Sequence, residues 1–131
     1  MVVIDASVWV SLFKTDDMFH GKADHIIQSL LTDREKISIP IIAFTEVAGV
    51  IRRSTKNHEA AENAVLDMEG MVAEILVNFI ELEPVATRIA INYGIKGADA
   101  YYLAAAEITG SNLVTFDKEQ QKAFEELRKT G

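Results

Sequence analysis

The stretch VVIDASVWV, residues 2–10, decides the fold. Residues 2–4 form a continuous apolar run that ends at Asp5, and such a run is typical of a central strand buried on both faces. Ser7, two residues later, is suited to cap a short apolar helix. The stretch therefore predicts a buried strand that carries an acid at its carboxyl end.

Short β-rich apolar runs and longer segments of helical period alternate along the rest of the chain. This alternation predicts an α/β fold, in which helices cover both faces of a mostly parallel sheet. The other predicted strands are Lys36–Ile39, Phe79–Leu82 and Leu113–Phe116. The predicted helices run from Ser7 to the polar break at 14–17, from there to Leu31, from Pro40 as first helical residue to Arg53, from Asn57 through Leu76, from Pro84 to Tyr93, from Ala98 to Thr109, and from the residue after Asp117 to Leu127.

Composition limits the class of protein. With 131 residues and 49% hydrophobic residues, the chain is expected to form a single domain, residues 1–131. Its net charge of −7 disfavours nucleic-acid binding by bulk attraction, so a phosphate ligand would need local cations. The absence of cysteine excludes disulfides and thiolate metal sites. Because no leader and no long apolar stretch is visible, we expect a cytoplasmic protein without a membrane segment.

Two acids follow predicted strands. Asp5 ends strand one and Asp117 ends strand four, and ligands of open α/β sheets bind just beyond the carboxyl ends of strands. If strand four lies beside strand one, with strand two on its other side, both acids flank the point where the strand order reverses. Each also has a structural explanation as a helix cap, and Gln120 gives Asp117 the spacing of a capping box.

Two further acids lie in predicted helices. Glu46 has only apolar or small neighbours three and four residues away, and an ionised carboxylate on such a face needs a partner or a metal ion. A salt bridge to Arg53 or Arg88 is the alternative explanation. Asp99 lies in the first turn of its helix, where a negative side chain is also favoured by the helix dipole.

The four acids together predict a metal site. Carboxylates only a few Å apart raise one another's pKa, so the cluster is stable only with bound protons or a cation. Ligation by oxygen alone favours Mg²⁺ or Mn²⁺, the ions suited to phosphate chemistry.

Three ordered segments carry a resemblance that spans nearly the whole chain. They are VVIDASVWV near the start, IPIIAFTEVAGVIRR in the middle and GADAYYLAAAEITGSNLVTFDKE near the end. In order and spacing they resemble the PIN domain and, within it, the VapC-like toxins of type II toxin–antitoxin pairs. The resemblance implies a three-layer α/β/α sandwich whose parallel sheet has four to five strands, since the family's chain commonly continues into a fifth strand.

The resemblance also implies functional residues and partners. Asp5, Glu46, Asp99 and Asp117 match the family's metal ligands, Ser7 matches a hydroxyl of the first motif, and Thr115 a position that supports the last acid. The implied activity is Mg²⁺- or Mn²⁺-dependent cleavage of RNA, with tRNA or rRNA as targets of the toxins. The implied partners are a VapB-like antitoxin and a second copy of the chain in a homodimer. The antitoxin would pack over the first two helices around Trp9, Leu12, Phe13 and Phe19, although burial of these side chains in the core is the default alternative.

The mechanism expected from these residues is attack on phosphate by an activated water. Asp99 or Asp117 is the candidate that orients the water or takes its proton. Arg52, Arg53 and Lys56 follow Glu46 along its helix and could guide the RNA backbone, or could merely favour the helix end as cations.

Other functions remain as alternatives. A housekeeping RNA-processing nuclease would use the same acids without an antitoxin, and an inactive PIN-like scaffold would have lost them. A receiver-type signalling domain also binds Mg²⁺, but it needs an adjacent acid pair where Asp5 stands alone. A haloacid-dehalogenase-type phosphatase needs an Asp where Ser7 stands.

Overall fold

The computed structural model describes residues 1–77 and 79–130, which form four strands and seven helices. Helices separate each pair of consecutive strands, as parallel pairing requires. In chain order the elements are β1 (Val2–Ile4), α1 (Ala6–Phe13), α2 (His20–Thr32), β2 (Ile37–Pro40), α3 (Ile42–Thr55), α4 (His58–Met71), β3 (Glu74–Leu76), α5 (Phe79–Tyr93), α6 (Gly97–Thr109), β4 (Asn112–Val114) and α7 (Lys118–Thr130).

The four strands form one parallel sheet in the order β3-β2-β1-β4. All residues of β1 and β2 are buried, whereas the edge strands β3 and β4 are partly exposed. The central strand predicted from the continuous apolar run is thus confirmed. The strand order on which the argument about Asp5 and Asp117 depended, with strand one between strands two and four, is the observed one. Because β2 and β4 lie on opposite sides of β1, the strand order reverses beside β1.

Helices cover both faces of this sheet. Connections that run in opposite directions along a sheet lie on opposite faces when each crossover is right-handed. Accordingly α6 packs against β1, β2 and β4 and contacts α5 and α7, while α1 contacts α2 and α3, and α3 contacts α4. The predicted three-layer α/β/α architecture is confirmed.

The core between these layers contains two large aromatic side chains. Trp9 of α1 and Tyr102 of α6 are fully buried, and the Trp9 Nε1 donates a hydrogen bond to the carbonyl of Ile4 at 3.1 Å. Leu12 is also buried, and Phe13 stacks on Trp9 with ring centroids 6.2 Å apart. Of the four residues considered for a partner surface, Phe19 alone is exposed.

The predicted third strand is wrong. The strand is Glu74–Leu76, while the predicted Phe79–Leu82 belongs to α5. The long helix from Asn57 ends at Met71, where Val72 turns to extended backbone, so the apolar stripe continued in helical phase beyond the real helix end. Pro84 lies inside α5 and does not begin it, because Leu82, Ala86 and Ile89 form one buried stripe that starts before the proline.

Smaller differences concern element ends. Pro40 ends β2 and does not begin a helix, since α3 starts at Ile42. Asp5, and not Ser7, is the N-cap of α1, because its side chain accepts the Ser7 backbone N–H. The last strand is Asn112–Val114, which is shorter at its carboxyl end than predicted and leaves Thr115 and Phe116 in the following loop.

None of the helices in residues 1–77 and 79–130 combines the length and apolar character needed to cross a membrane.

Two glycines allow a matched test of the helix ends. Gly110 closes α6 with a φ of 64°, a left-handed conformation in which a Cβ is unfavourable, so Gly110→Ala should lower the free energy of unfolding by about 1–2 kcal/mol. Gly70 in α4 has ordinary helical backbone and open space where the Cβ of an alanine would lie, so Gly70→Ala should raise stability by about 0.5–1 kcal/mol. Urea unfolding of both variants measures the difference, and changes of equal sign would contradict it.

Candidate functional site

Asp5 lies at the carboxyl end of β1 and is only 3% exposed. Its Oδ1 accepts the Ser7 backbone N–H at 3.0 Å and the Ser7 hydroxyl at 2.6 Å. Its Oδ2 accepts the Thr115 hydroxyl at 2.7 Å. Burial raises the pKa of the Asp5 carboxyl from 3.8 to about 6, although the hydrogen bonds from Ser7 and Thr115 oppose this shift.

Ser7 and Thr115 join the ends of the two strands. The Ser7 hydroxyl oxygen accepts the Phe116 N–H at 2.9 Å, and the Thr115 hydroxyl oxygen accepts the Asp117 N–H at 3.0 Å. Thr115 was expected to support the last acid, but it donates its hydroxyl proton to Asp5 and contacts only the backbone of Asp117. The two hydroxyl side chains therefore hold the loop after β4 against the acid after β1.

Glu46 lies in α3 and is half-buried. The hydroxyl of Tyr102 donates a hydrogen bond to its Oε1 at 2.8 Å. No salt bridge to Arg53 or Arg88 is present in the described residues, so that alternative is wrong for this structure. Burial raises the pKa of Glu46, the Tyr102 hydrogen bond lowers it, and the negative charge of Asp99 raises it again.

Tyr102 contacts the candidate site through Glu46, and the sequence did not predict it. Its side chain is fully buried, and burial together with the charges of Glu46, Asp5 and Asp99 raises the pKa of its hydroxyl. The hydroxyl therefore stays protonated and acts as a donor. Within GADAYYLAAAE the residue reads as one more core aromatic, and only its place three residues after Asp99, on the buried face of the same helix, could have drawn attention to it.

Asp99 lies half-buried in the first turn of α6, but its side chain does not cap the helix, whose N-cap is Lys96. Burial raises the pKa of Asp99, the charge of Asp117 raises it further, and Lys96 opposes both. Two neighbouring acids, Glu46 and Asp117, are thus electrostatically coupled to Asp99.

Asp117 is exposed and caps α7, since its Oδ1 accepts the Gln120 N–H at 3.0 Å. The reciprocal half of the expected capping box is absent. Gln120 is buried, and its Nε2 donates instead to the backbone carbonyl of Asp99 at 3.0 Å. Gln120 thereby fixes the start of α7 against the start of α6, a role that the sequence did not indicate.

We call the four acids, Asp5, Glu46, Asp99 and Asp117, the acidic row. The charge of Asp117 raises the pKa of Asp99, and the charge of Asp99 raises the pKa of Glu46. The charges of Glu46, Asp5 and Asp99 all raise the pKa of Tyr102. Among the described residues, none of the four carboxylates is in a salt bridge, and no three acidic or histidine side chains lie close enough to hold one ion between them as they stand. The arrangement concentrates negative charge at the carboxyl edge of the sheet without a paired cation.

The three basic candidates lie elsewhere on α3. Arg52 and Arg53 occupy its last turn and Lys56 follows as the C-cap, all exposed. At about 1.5 Å rise per residue, Arg52 and Arg53 are roughly 10 Å further along the helix than Glu46. Since α3 begins at the edge that carries the acids, these cations lie towards its opposite end, and an RNA-binding role for them stays a prediction.

Comparison with solved structures shows the same fold. The crystal structure of Mycobacterium tuberculosis VapC20, described as a sarcin-ricin loop cleaving toxin, has 21% sequence identity and a TM-score of 0.80, over 94% of this chain and 95% of that one. The structure of PAE2754 from Pyrobaculum aerophilum has 21% identity and a TM-score of 0.69, over 96% of this chain and 90% of that one. Among curated protein sequences, none matches this chain.

A family model gives the more specific result. The model of the PIN domain matches residues 2–126, a range that includes all four acids, Ser7, Thr115 and Tyr102. The match covers nearly the whole chain, and the parallel sheet with acids at its carboxyl edge agrees with it. The chain belongs to the PIN-domain family.

Proposed function

We propose that this protein is a metal-dependent endoribonuclease in which Asp5, Glu46, Asp99 and Asp117 hold Mg²⁺ or Mn²⁺. The observation that carries the proposal is the acidic row at the carboxyl ends of the strands. Three of its four carboxylates are buried or half-buried, and none of the four forms a salt bridge in the described residues. Membership in the PIN-domain family supports a nuclease, and it favours this class over a receiver-type signalling domain.

The donor set fits a hard divalent cation. All four side chains offer carboxylate oxygens, and the groups that donate to the Asp5 carboxylate are hydroxyls and a backbone N–H rather than cations. An anionic group whose pKa is raised by burial binds a cation or a proton in preference to remaining bare. Because the row is open in the described residues, binding would draw the side chains closer together.

The chain's own residues have separable tasks in this proposal. A bound Mg²⁺ or Mn²⁺ would supply Lewis acidity towards phosphate and towards a water molecule. Ser7 and Thr115 orient the Asp5 carboxylate, and Tyr102 orients that of Glu46. Asp99 is assigned to take the proton of the attacking water. Asp117 uses one oxygen to cap α7, and the carboxylates of Asp5 and Glu46 accept hydrogen bonds from neighbouring hydroxyls.

We assign the nuclease to a VapBC-type toxin–antitoxin module, with tRNA, rRNA or another RNA as substrate, a VapB-like antitoxin as partner and a homodimer as assembly. The similarity of fold to VapC20 supports this assignment. The alternative is a housekeeping RNA-processing enzyme that acts without an antitoxin. A short reading frame for a small DNA-binding protein directly upstream of this gene would decide for the toxin, and its absence for the alternative.

Substitution of Asp99 tests the activity. Asp99→Asn should slow cleavage of labelled RNA in Mg²⁺ or Mn²⁺ by about 10²- to 10⁴-fold, because it removes both a ligand and the assigned base. Asp67→Asn, an exposed acid on α4, is the control and should leave the rate unchanged. The mechanism would be contradicted if Asp99→Asn still cleaved RNA at the wild-type rate. It would also be contradicted if a chelator did not abolish cleavage by the wild type.

Substitution of Tyr102 tests how Glu46 is positioned. Tyr102→Phe keeps the buried ring but removes the hydrogen bond to Glu46, so we expect Mn²⁺ binding and cleavage to weaken by about 10- to 100-fold without loss of fold. Tyr101→Phe is a matched control, because Tyr101 also donates its hydroxyl to a glutamate, Glu83, but towards α5. Calorimetric Mn²⁺ titration and circular dichroism measure both effects. Equal Mn²⁺ affinities in the two variants would rule out the positioning role.

The buried Asp5 predicts a pH dependence of stability in the absence of metal. Its folded pKa of about 6 exceeds the ordinary 3.8, so the folded state binds more protons between these values, and the free energy of unfolding falls as pH rises through this window. The full effect of this shift on the free energy of unfolding is about 3 kcal/mol. It is measured, in the presence of a chelator, as the difference in free energy of unfolding between the wild type and Asp5→Asn.

Asp5→Asn should therefore be more stable than the wild type at pH 7, and this difference in stability should decrease towards pH 4. Added Mg²⁺ at pH 7 should stabilise the wild type but not Asp5→Asn. A difference between the two proteins that stays constant from pH 4 to pH 7 would contradict the assignment of this shift to Asp5.

A further inference from the structure

An aromatic cluster lies beside the acidic row. Phe116 stands between Thr115 and Asp117, and its ring centroid is 5.5 Å from that of Phe19 at an interplanar angle of 38°. The Nζ of Lys22 lies 5.4 Å from the Phe116 ring centroid. We call Phe19, Phe116 and Lys22 the aromatic rim. The rim brings together the loop after β4, the connection between α1 and α2, and the first turn of α2.

Hydrogen bonds connect the aromatic rim to the acids of the candidate site. The Phe116 N–H donates to the Ser7 hydroxyl oxygen at 2.9 Å, and the same hydroxyl donates to Asp5 at 2.6 Å. Phe116 is also the immediate neighbour of Asp117 in the chain. The aromatic rim is therefore adjacent to Asp5 and Asp117, and a strand of RNA bound at these acids would pass close to it.

Phe19 is exposed, yet its backbone is firmly held. Among the aromatic side chains that the structure describes, it alone is exposed, at 44%. Its N–H donates to Asp17 Oδ2 at 2.9 Å, and the next residue, His20, contacts the carbonyl of Ser11 through Nδ1 at 3.0 Å. Polar contacts thus fix the chain around Phe19, while 44% of the residue stays accessible to a ligand beside Phe116.

We infer that the aromatic rim is a subsite for an unpaired nucleobase, in which the base stacks on Phe19 and Phe116 while Lys22 contacts an adjacent phosphate. This inference rests on the proposed ribonuclease function. Unpaired bases present a flat π-face to aromatic side chains, and such stacking tolerates any base. In a protein of net charge −7, a cation placed over the same ring supplies the local attraction that the backbone of RNA needs.

Consequently the subsite selects RNA that is single-stranded next to the cut. A base within a duplex is already stacked on its neighbours and cannot reach Phe19 without being unpaired. A protein partner could also cover an exposed phenylalanine, but the continuity with the acids and the nearby cation favour the nucleic acid. Binding of defined RNA strands separates the two occupants.

Binding is measured by fluorescence anisotropy with Asp99→Asn as the non-cleaving background, using an eight-nucleotide single-stranded RNA and the same strand with one abasic position at a time. Phe19→Leu in this background should weaken binding of the intact strand about 5- to 20-fold, within the range of one stacked base. For the strand that lacks the stacked base, Phe19→Leu and its background should have the same affinity. Phe19→Trp should restore the affinity. Lys22→Gln should lower the slope of log affinity against log salt by about 1.

The chain offers matched controls near the amino end of β4, away from the acids. Arg128 lies 4.8 Å from the Phe124 ring centroid and bonds to Ser111 and Asn112 at the start of β4, so Phe124→Leu alters a similar aromatic and cationic pair away from the acids. Lys36→Gln, directly before β2, is the control for charge. Neither variant should change RNA binding.

Equal binding of the intact strand by Phe19→Leu and by its background would overturn the inference. An equal loss of affinity for the intact and the abasic strands would also overturn it. A change seen only in self-association, measured by sedimentation, would overturn it too, because it would assign the surface to protein contact. Cleavage by the wild type is assayed separately. If Mg²⁺ and Mn²⁺ support no cleavage while the base-dependent binding persists, the proposed nuclease function fails and the subsite stands.

Discussion

The burial of the Asp5 carboxylate between the ends of β1 and β4 is the constraint on which the candidate site depends. Asp5 is fixed by Ser7 from its own helix and by Thr115 from across the sheet. The Ser7 hydroxyl then holds Phe116, and the Thr115 hydroxyl holds the backbone of Asp117. One buried acid thus sets the path of the loop that carries Asp117 and Phe116 of the aromatic rim.

Such an acid is unfavourable for the fold and useful for the site. Its raised pKa means that burial disfavours the charged form, and the three hydrogen bonds from Ser7 and Thr115 offset only part of that cost. Glu46 has the same problem, and Tyr102 supplies a single donor for it. In both cases the neighbours orient the carboxylate without neutralising it. In the proposed function this negative charge is preorganised for a cation, and the fold would be less stable without one.

The sequence predicts the central features of this arrangement because strong local signals agree with burial. The apolar run before Asp5 correctly predicted a buried central strand, and Glu46 is half-buried, as its apolar neighbours in the helix suggest. The sheet order was a condition of the argument about Asp5 and Asp117, and the sequence did not determine it. The edge strand β3 was missed because it is short and partly exposed, and its apolar residues continue the phase of α4. Tyr102 and Gln120 were missed for another reason. Their roles depend on contacts 56 and 21 residues away along the chain, which no local pattern contains.

The net charge of −7 and the proposed RNA substrate are compatible only if the protein contacts RNA by means other than bulk attraction. In the proposed function, a cation bound by the acids would cancel negative charge where the phosphate approaches, and Lys22 would add a local positive charge beside the Phe116 ring. Stacking of a base on Phe19 would be independent of charge and would require that the base is unpaired. Duplex RNA would gain neither the stacking nor, at an acidic surface, a general electrostatic attraction. The acidity of the chain would then favour specificity, because RNA that cannot use the aromatic rim would be held weakly.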